Sequence, residues 1–175
     1  KEQVVSMVQT LSDFFRASLN SGKDIVSLEG ECRHITSYLQ IQQVRYQDIL
    51  TYDVDIPEEI ANCKIPKITL QPLVENALYH GIKNKRGKGR IVVTGRREKD
   101  KCVIRVEDNG IGMTKERLNQ VRGGLTTKIE DSNDFYGLYN VNERIRLKFG
   151  EEYGLSIDSV LQEGTCVEVW LPWES

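Results

Sequence analysis

Leu70-Gln-Pro-Leu-Val-Glu-Asn-Ala-Leu-Tyr-His-Gly-Ile-Lys-Asn84 carries an apolar stripe and a row of chemically capable groups on one short segment. Leu70, Leu73, Val74, Ala77 and Leu78 recur at i, i+3, i+4, i+7 and i+8, the spacing of a helix with one face turned inward. Pro72 falls in the first turn, where the donor it lacks would have no partner, and Thr69 is suited to accept a backbone N–H as N-cap. The spacing predicts a helix over residues 70–84. Glu75, Asn76, Tyr79 and Lys83 point away from the stripe, and His80 lies at its border. A carboxylate beside a carboxamide, with an imidazole and an ammonium within two turns, can bind a hydrated divalent cation, orient a nucleophile and neutralise phosphate. The same pattern also describes an ordinary amphipathic helix with a solvated face, and the segment alone does not choose between the two.

Downstream, Lys83 to Arg90 is a basic, glycine-containing turn. Ile91–Arg97 and Lys101–Asp108 read as two strands joined at Lys99-Asp100, a hairpin. Cys102, Ile104 and Val106 share one face of the second strand, and the period of two puts Asp108 on that same face. A carboxylate aimed at the core is costly unless it meets a donor, and a ligand is one source of that donor. Asp108 opens Asp-Asn-Gly-Ile-Gly-Met, a two-glycine turn in which backbone can lie close to a flat ligand. A short helix over residues 114–121 follows. Residues 123–134 have no apolar period and read as a mobile loop. Gly137 then leads a helix with Leu138, Val141, Ile145 and Phe149 inward and Gly150 as its stop; free N–H groups at such a helix start suit an anion. Leu155–Val160 and Thr165–Leu171 finish as strands around Gln162-Glu163-Gly164.

Upstream, Val4, Val8, Leu11, Phe15 and Leu19 alternate at three- and four-residue spacing, a seam that one helix cannot bury alone. Asn20-Ser21-Gly22 breaks the pattern as a candidate linker. Ser27 is the N-cap of a second helix that puts Cys32, Ile35, Leu39 and Tyr46 on one side and ends near Asp48. Residues 49–56 alternate as a strand closed by Pro57. The 175 residues suffice for one substantial core, and a net charge of -2 argues against a chain built to coat nucleic acid or anionic membrane. Cys32, Cys63, Cys102 and Cys166 form no C-x-x-C pair and read as reduced, buried thiols of a cytoplasmic protein. No apolar run approaches the roughly 20 residues of a bilayer span, and the chain opens mid-pattern, as expected of a soluble piece of something longer.

The order of these features resembles the ATP-binding fold shared by sensor histidine kinases, gyrase B, the mismatch-repair ATPases and the ninety-kilodalton heat-shock chaperone, the GHKL or Bergerat fold. That order is a helix with Glu75-Asn76, a strand ending in Asp108-Asn-Gly-Ile-Gly, a loop, and glycine at a helix start. Leu70 to Gly81, with Ile-Pro-Lys-Ile-Thr-Leu before it and Gly-Leu-Tyr-Asn-Val-Asn-Glu-Arg-Ile-Arg-Leu-Lys-Phe-Gly after it, is similar to the membrane-sensor histidine kinases of the YesM and LytS type. Residues 11–47 resemble that family's linker. The resemblance implies an α+β, two-layer sandwich: a mixed, mostly antiparallel sheet covered on one face by helices, with helical linker and dimerisation-domain remnant over residues 1–48 and the ATP-binding domain over 49–175. It implies ATP and Mg2+ as ligands, with Asn76 on the metal and Glu75 polarising the attacking nucleophile. It implies Asp108 on the adenine amino group, Gly110 and Gly112 against the base, and Gly137 with the N–H groups of Leu138 and Tyr139 on phosphate. Thr165 lies where a hydroxyl often approaches adenine, and is equally an ordinary strand-start Thr.

The implied partners are the histidine-bearing dimerisation domain, a response regulator and, in the parent, a second copy of the chain. The implied location is a cytoplasmic domain of a protein anchored in the plasma membrane. The sequence departs from the family at Tyr79, where many relatives have Lys, so the phosphate cation falls to His80, Lys83 or Lys128. The glycine motif before the last helix is reduced to Gly137. No His-Phe-x-x-Asn stretch supplies an acceptor. Of the two histidines, His34 reads as a partly buried structural residue or an acceptor, and His80 lies too near Asn76 to be a mobile one, though it remains a candidate catalytic group beside Glu75. Lys83, Lys85, Arg86, Lys88 and Arg90 are a solvated turn or a patch that steers nucleotide; with no aromatic residue interleaved, nucleic acid is disfavoured. Beside the kinase stand two alternatives: a non-catalytic, ATP-gated interaction module and an ATPase of the gyrase or chaperone kind.

Overall fold

The stripe of residues 70–78 is buried throughout in the computed structural model, which describes residues 2–19, 24–127 and 136–174, with the side chains of residues 17–19 outside that description. In chain order the elements are α1 (Glu2–Leu19), β1 (Ile25–Ser27), α2 (Leu28–Arg45), β2 (Leu50–Asp55), β3 (Lys64–Pro66), α3 (Leu70–Asn76), β4 (Gly89–Glu98), β5 (Lys101–Asp108), α4 (Lys115–Gly124), α5 (Tyr136–Phe149), β6 (Gly154–Val160) and β7 (Gly164–Pro172). A short 3-10 turn, Glu58–Ile60, precedes β3. Five strands form one sheet in the order β2-β4-β5-β7-β6, with β2 parallel to β4 and every other pairing antiparallel. Leu70, Leu73, Val74 and Leu78 share one core with Ile91, Val93, Cys102, Ile104, Val106, Val167 and Val169 of the sheet and with Leu138, Val141 and Ile145 of α5. This is the expected α+β sandwich. Arg96–Glu168 and Arg105–Glu107 pairs, partly exposed, join side chains of the strands and contribute little to stability.

Residues 28–45 belong to that core as well. Ser27 caps α2 by accepting from Gly30 N at 3.1 Å, and Leu28, Ile35 and Leu39 are fully buried. β1, too short to show a period in the sequence, pairs with β3 and ties the start of α2 to the segment before α3. In α1 the predicted seam is turned outward, with Val4, Val8 and Phe15 exposed, while Phe14 packs inward. The predicted linker, residues 20–22, lies outside the described residues.

Thr69 is not the cap acceptor that its position suggests. Its backbone is already helical, with φ -89° and ψ -46°, and its hydroxyl donates to Pro66 O at 2.6 Å. The free N–H groups at the start of α3 are met from another helix. Glu31, buried in α2, accepts from Ile68 N at 2.7 Å, Thr69 N at 3.0 Å and Leu70 N at 3.1 Å. A carboxylate there satisfies three orphan donors and lies at the positive end of the helix dipole. Ile68 has φ +58°, rare for a β-branched residue, and its carbonyl accepts from Arg144 Nη2 of α5 at 2.8 Å.

The predicted helix over residues 70–84 changes character midway: α3 ends at Asn76 and continues as a π-helix over Ala77–Ile82. The helix after Thr114 runs three residues beyond its predicted end, so Gly123 and Gly124 close α4 rather than open a loop. Residues 128–134 of the predicted loop, with Lys128, lie outside the described residues. Gly137 is the second residue of α5 rather than its leader. Gly150, at φ +115°, terminates that helix as expected.

Replacing Glu31 by Ala strips three buried N–H groups of their acceptor. Glu31→Ala is expected to lower the unfolding free energy by about 3–5 kcal/mol in urea titrations, against less than about 1 kcal/mol for Glu29→Ala on the same helix.

Candidate functional site

Where α3 passes into the π-helix, its outer side faces the end of β5 and the start of α4, and the three enclose a cavity of about 310 Å3. π-Turns are frequent at functional sites. Asn76, His80, Asp108, Gly112, Leu138 and Thr165 line this cavity, so six residues named from the sequence converge on one space. Val106, Ile157 and Val167 give it an apolar wall.

Asp108 is the last residue of β5, and its Oδ1 accepts from Gly110 N at 2.8 Å. The Thr165 backbone N–H, opposite Asp108 in the β5–β7 pairing, also favours its charged form. The donors expected for a core-facing carboxylate are thus partly within the chain, and ample acceptor capacity remains. Burial pushes the Asp108 carboxyl up to about 6; the bond from Gly110, the Thr165 N–H and the charge of Lys85 oppose this and are outweighed. Gly81, in the π-turn, packs directly on it: a Cβ at Gly81 would overlap Asp108 Oδ1, and one at Gly110 would overlap the Gly81 backbone. Gly110 therefore serves helix–loop contact instead of lining the cavity. Gly81 was missed in the sequence, where it reads only as a glycine late in a helix.

The hydroxyl network behind the wall is ordered. Ser159 Oγ donates to Gly164 O at 2.9 Å, so it accepts from Met113 N at 2.9 Å and from Thr165 Oγ1 at 2.8 Å. The Thr165 hydroxyl is then a spent donor with lone pairs still to offer. Ser159, which holds both the Met113 backbone and Thr165, had no sequence signal because its partners lie on two other segments.

Four predicted residues lie off the cavity wall. Besides Gly110, Glu75 is half-buried and accepts from Gln71 Nε2 at 2.9 Å, one residue from the cavity-lining Asn76. Lys83 places its ammonium 4.6 Å from the Tyr79 ring centroid and 5.5 Å from that of Tyr46, a cation–π seat on the outside of the helix. Gly137 abuts Pro72. Elsewhere in the basic set, Lys85 donates to Asn109 O at 2.7 Å and Arg90 pairs with Asp53, so much of that charge braces the turn. Arg117, unmarked in the sequence, lines the cavity from α4, and Asn84 does so beyond the π-turn. His34 is buried, with Nε2 bonded to Gln71 Oε1 at 2.6 Å and its ring stacked on Phe14, which fits the structural reading of that residue. Cys32, Cys63 and Cys102 are buried free thiols, as expected, whereas Cys166 is a half-buried one. Among the described residues no helix is long and apolar enough to cross a membrane.

Residues 66–175 match the family model described as histidine kinase-, DNA gyrase B- and HSP90-like ATPase, and residues 1–50 match the histidine kinase model. The chain belongs to this ATPase family. It is 34% identical over 172 residues to the sensor histidine kinase BtsS of Escherichia coli and 36% identical over 173 residues to the sensor histidine kinase YesM of Bacillus subtilis. In each case 98% of this chain and 28% of the relative are covered, so the chain spans little more than a quarter of either protein. The histidine kinase domain of the blue-light activated histidine kinase of Erythrobacter litoralis superposes with a TM-score of 0.61 at 14% identity, covering 95% of this chain and 72% of that one, which shows the shared fold.

The raised Asp108 carboxyl has a stability consequence with a definite sign. Its protonated form suits the fold, so its stabilising contribution is full below about pH 4 and lost as pH rises through about 6. Asp108→Asn, which mimics the protonated acid, is expected to gain about 1–3 kcal/mol on the parent chain between pH 4 and pH 7.5 in ligand-free denaturation curves.

Proposed function

We propose that this chain binds Mg-ATP in the cavity between α3, β5 and α4 and transfers the γ-phosphoryl group to a histidine outside residues 1–175, as the catalytic portion of a two-component sensor histidine kinase. The observation that carries this reading is the convergence of a partly buried carboxylate, Asp108, and a carboxamide, Asn76, on one apolar cavity. Asp108 is suited to accept from the exocyclic amino group of adenine, with Gly112 and Thr165 against the base. The apolar wall takes the ring.

Mg2+ fits the donor set. Among the described residues no cluster of three or more His, Cys, Asp or Glu can hold a metal by itself, and an amide oxygen completed by waters and phosphate oxygens is the kind of site Mg2+ prefers. Asn76 would hold it, and the ion when bound supplies positive charge against the phosphates. Glu75, beside Asn76, orients the attacking imidazole, so the work of this chain is positioning and charge neutralisation. His80 and Arg117 supply polar and cationic groups at the wall, and Gly137 at the start of α5, with the N–H groups of Leu138 and Tyr139, serves phosphate oxygens.

The matches over residues 1–50 and 66–175 support a division into a dimerisation-domain remnant and linker over residues 1–48 and an ATP-binding unit over 49–175. The exposed seam of α1 supports a second copy as partner in the parent. The acceptor histidine belongs to the dimerisation domain, the phosphoryl group passes on to a response regulator, and the parent is a plasma-membrane sensor with this portion on the cytoplasmic side. The ATP-gated, non-catalytic module is the second reading, favoured by the seat of Lys83 on Tyr79 and Tyr46, which takes that ammonium off the cavity wall.

With magnesium present, ATP is expected to bind, and Asn76→Asp and Asp108→Asn each to weaken it at least about tenfold by calorimetric titration. Unchanged affinity in both variants overturns the site. The chain alone is expected not to label itself, yet to phosphorylate a separately supplied histidine hairpin; labelling of His34 would contradict the assignment of the acceptor, and ATP binding without any transfer would favour the second reading.

A further inference from the structure

Gln71 lies one turn before Glu75 on α3, and the two are joined across to α2 by a chain of hydrogen bonds. Gln71 Nε2 is 2.9 Å from Glu75 Oε1, and Gln71 Oε1 is 2.6 Å from His34 Nε2. The chemistry of the groups orients both bonds. A carboxylate only accepts, so the carboxamide must turn its NH2 to Glu75 and its oxygen to His34; the imidazole must then carry its proton on Nε2 and donate. His34 Nδ1 is buried without a hydrogen-bond partner, in keeping with that neutral tautomer, in which Nδ1 is a bare lone pair. On the far side the Phe14 ring of α1 stacks on the imidazole, with centroids 4.7 Å apart and planes 17° from parallel.

A buried imidazole with one unpartnered nitrogen is a poor choice for a helix contact that any aliphatic side chain would fill at less cost. What it supplies is direction. We propose that Gln71 and His34 are positioning residues, which hold the Glu75 carboxylate in one orientation beside the cavity-lining Asn76. The inference rests on the role assigned above to Glu75. It extends the functional unit from the cavity into α2: the linker helix sets the rotamer of the group that orients the nucleophile, and Phe14 sets the plane of the imidazole from α1. A shift of α1 along α2 is thereby felt at Glu75 through two hydrogen bonds.

The test uses the full-length kinase that contains this chain, with autophosphorylation from radiolabelled ATP as readout. Gln71→Met, close in shape but unable to donate or accept strongly, is expected to lower kcat about tenfold or more while leaving KM for ATP within about twofold. In the Glu75→Gln background the same change is expected to cost no further activity. His34→Phe keeps the stacking and removes the donor, and is expected to follow Gln71→Met; His34→Gln restores an N–H donor and is expected to recover most of the loss. Retained kcat in Gln71→Met, where Glu75→Gln has lost it, overturns the relay and leaves the role of Glu75 standing. Retained kcat in Glu75→Gln overturns both. A joint loss of ATP affinity and thermal stability in Gln71→Met and His34→Phe, without recovery in His34→Gln, marks a merely structural contact and also overturns the proposal.

Discussion

The start of α3 depends on one buried carboxylate. Glu31 gathers three consecutive N–H groups, Ile68, Thr69 and Leu70, and Arg144 takes the Ile68 carbonyl from the other side. Three helices therefore meet at one peptide segment, and a β-branched residue is held there at a positive φ that it would otherwise avoid, at a cost of about 1–3 kcal/mol. This contact sets the direction in which α3 leaves β3, and so where Asn76 and the π-turn arrive relative to the sheet. A cap supplied by a neighbouring side chain such as Thr69 would have fixed only the local turn. Supplied by α2, it fixes the angle between two helices.

The second junction is between the π-turn and the end of β5. Gly81, Asp108 and Gly110 pack so closely that no side chain fits between them. The fold accepts a partly buried carboxyl whose ionised form is disfavoured, and a group in that condition has most to gain from a ligand that donates to it. Such a local loss of stability is a common arrangement at functional sites. The apolar wall of Val106, Ile157 and Val167 then favours a flat ring, while polar and charged groups gather where α3, α4 and the π-turn open outward.

Much of the architecture was legible in the chain. The buried stripe of α3, the hairpin of β4 and β5, the Ser27 cap and the Gly150 stop are local periodicities or single-residue signals, and each appears where its spacing placed it. The core-facing side of Asp108 followed from the period of two. Less legible was anything that depends on widely separated partners. Residues 25–27 carry no pattern of their own and become a strand only through β3. Lys83 was a fair candidate for the cavity until its distance to two rings was known, one of them 37 positions away in the sequence.

By itself the sequence determined most element types and inward faces, because side-chain period and turn chemistry act within a few residues of the chain, while the residues that meet at the cavity were named largely through the resemblance in motif order. Only the tertiary structure decided which groups satisfy them. The cap of α3 comes from Glu31, the close neighbour of Asp108 is Gly81, the order of the Thr165 hydroxyl comes from Ser159, and the partner of Glu75 is linked to His34. Each of these is a hydrogen bond or van der Waals contact made across elements, and its partner is chosen by packing geometry, about which spacing along one segment carries no information.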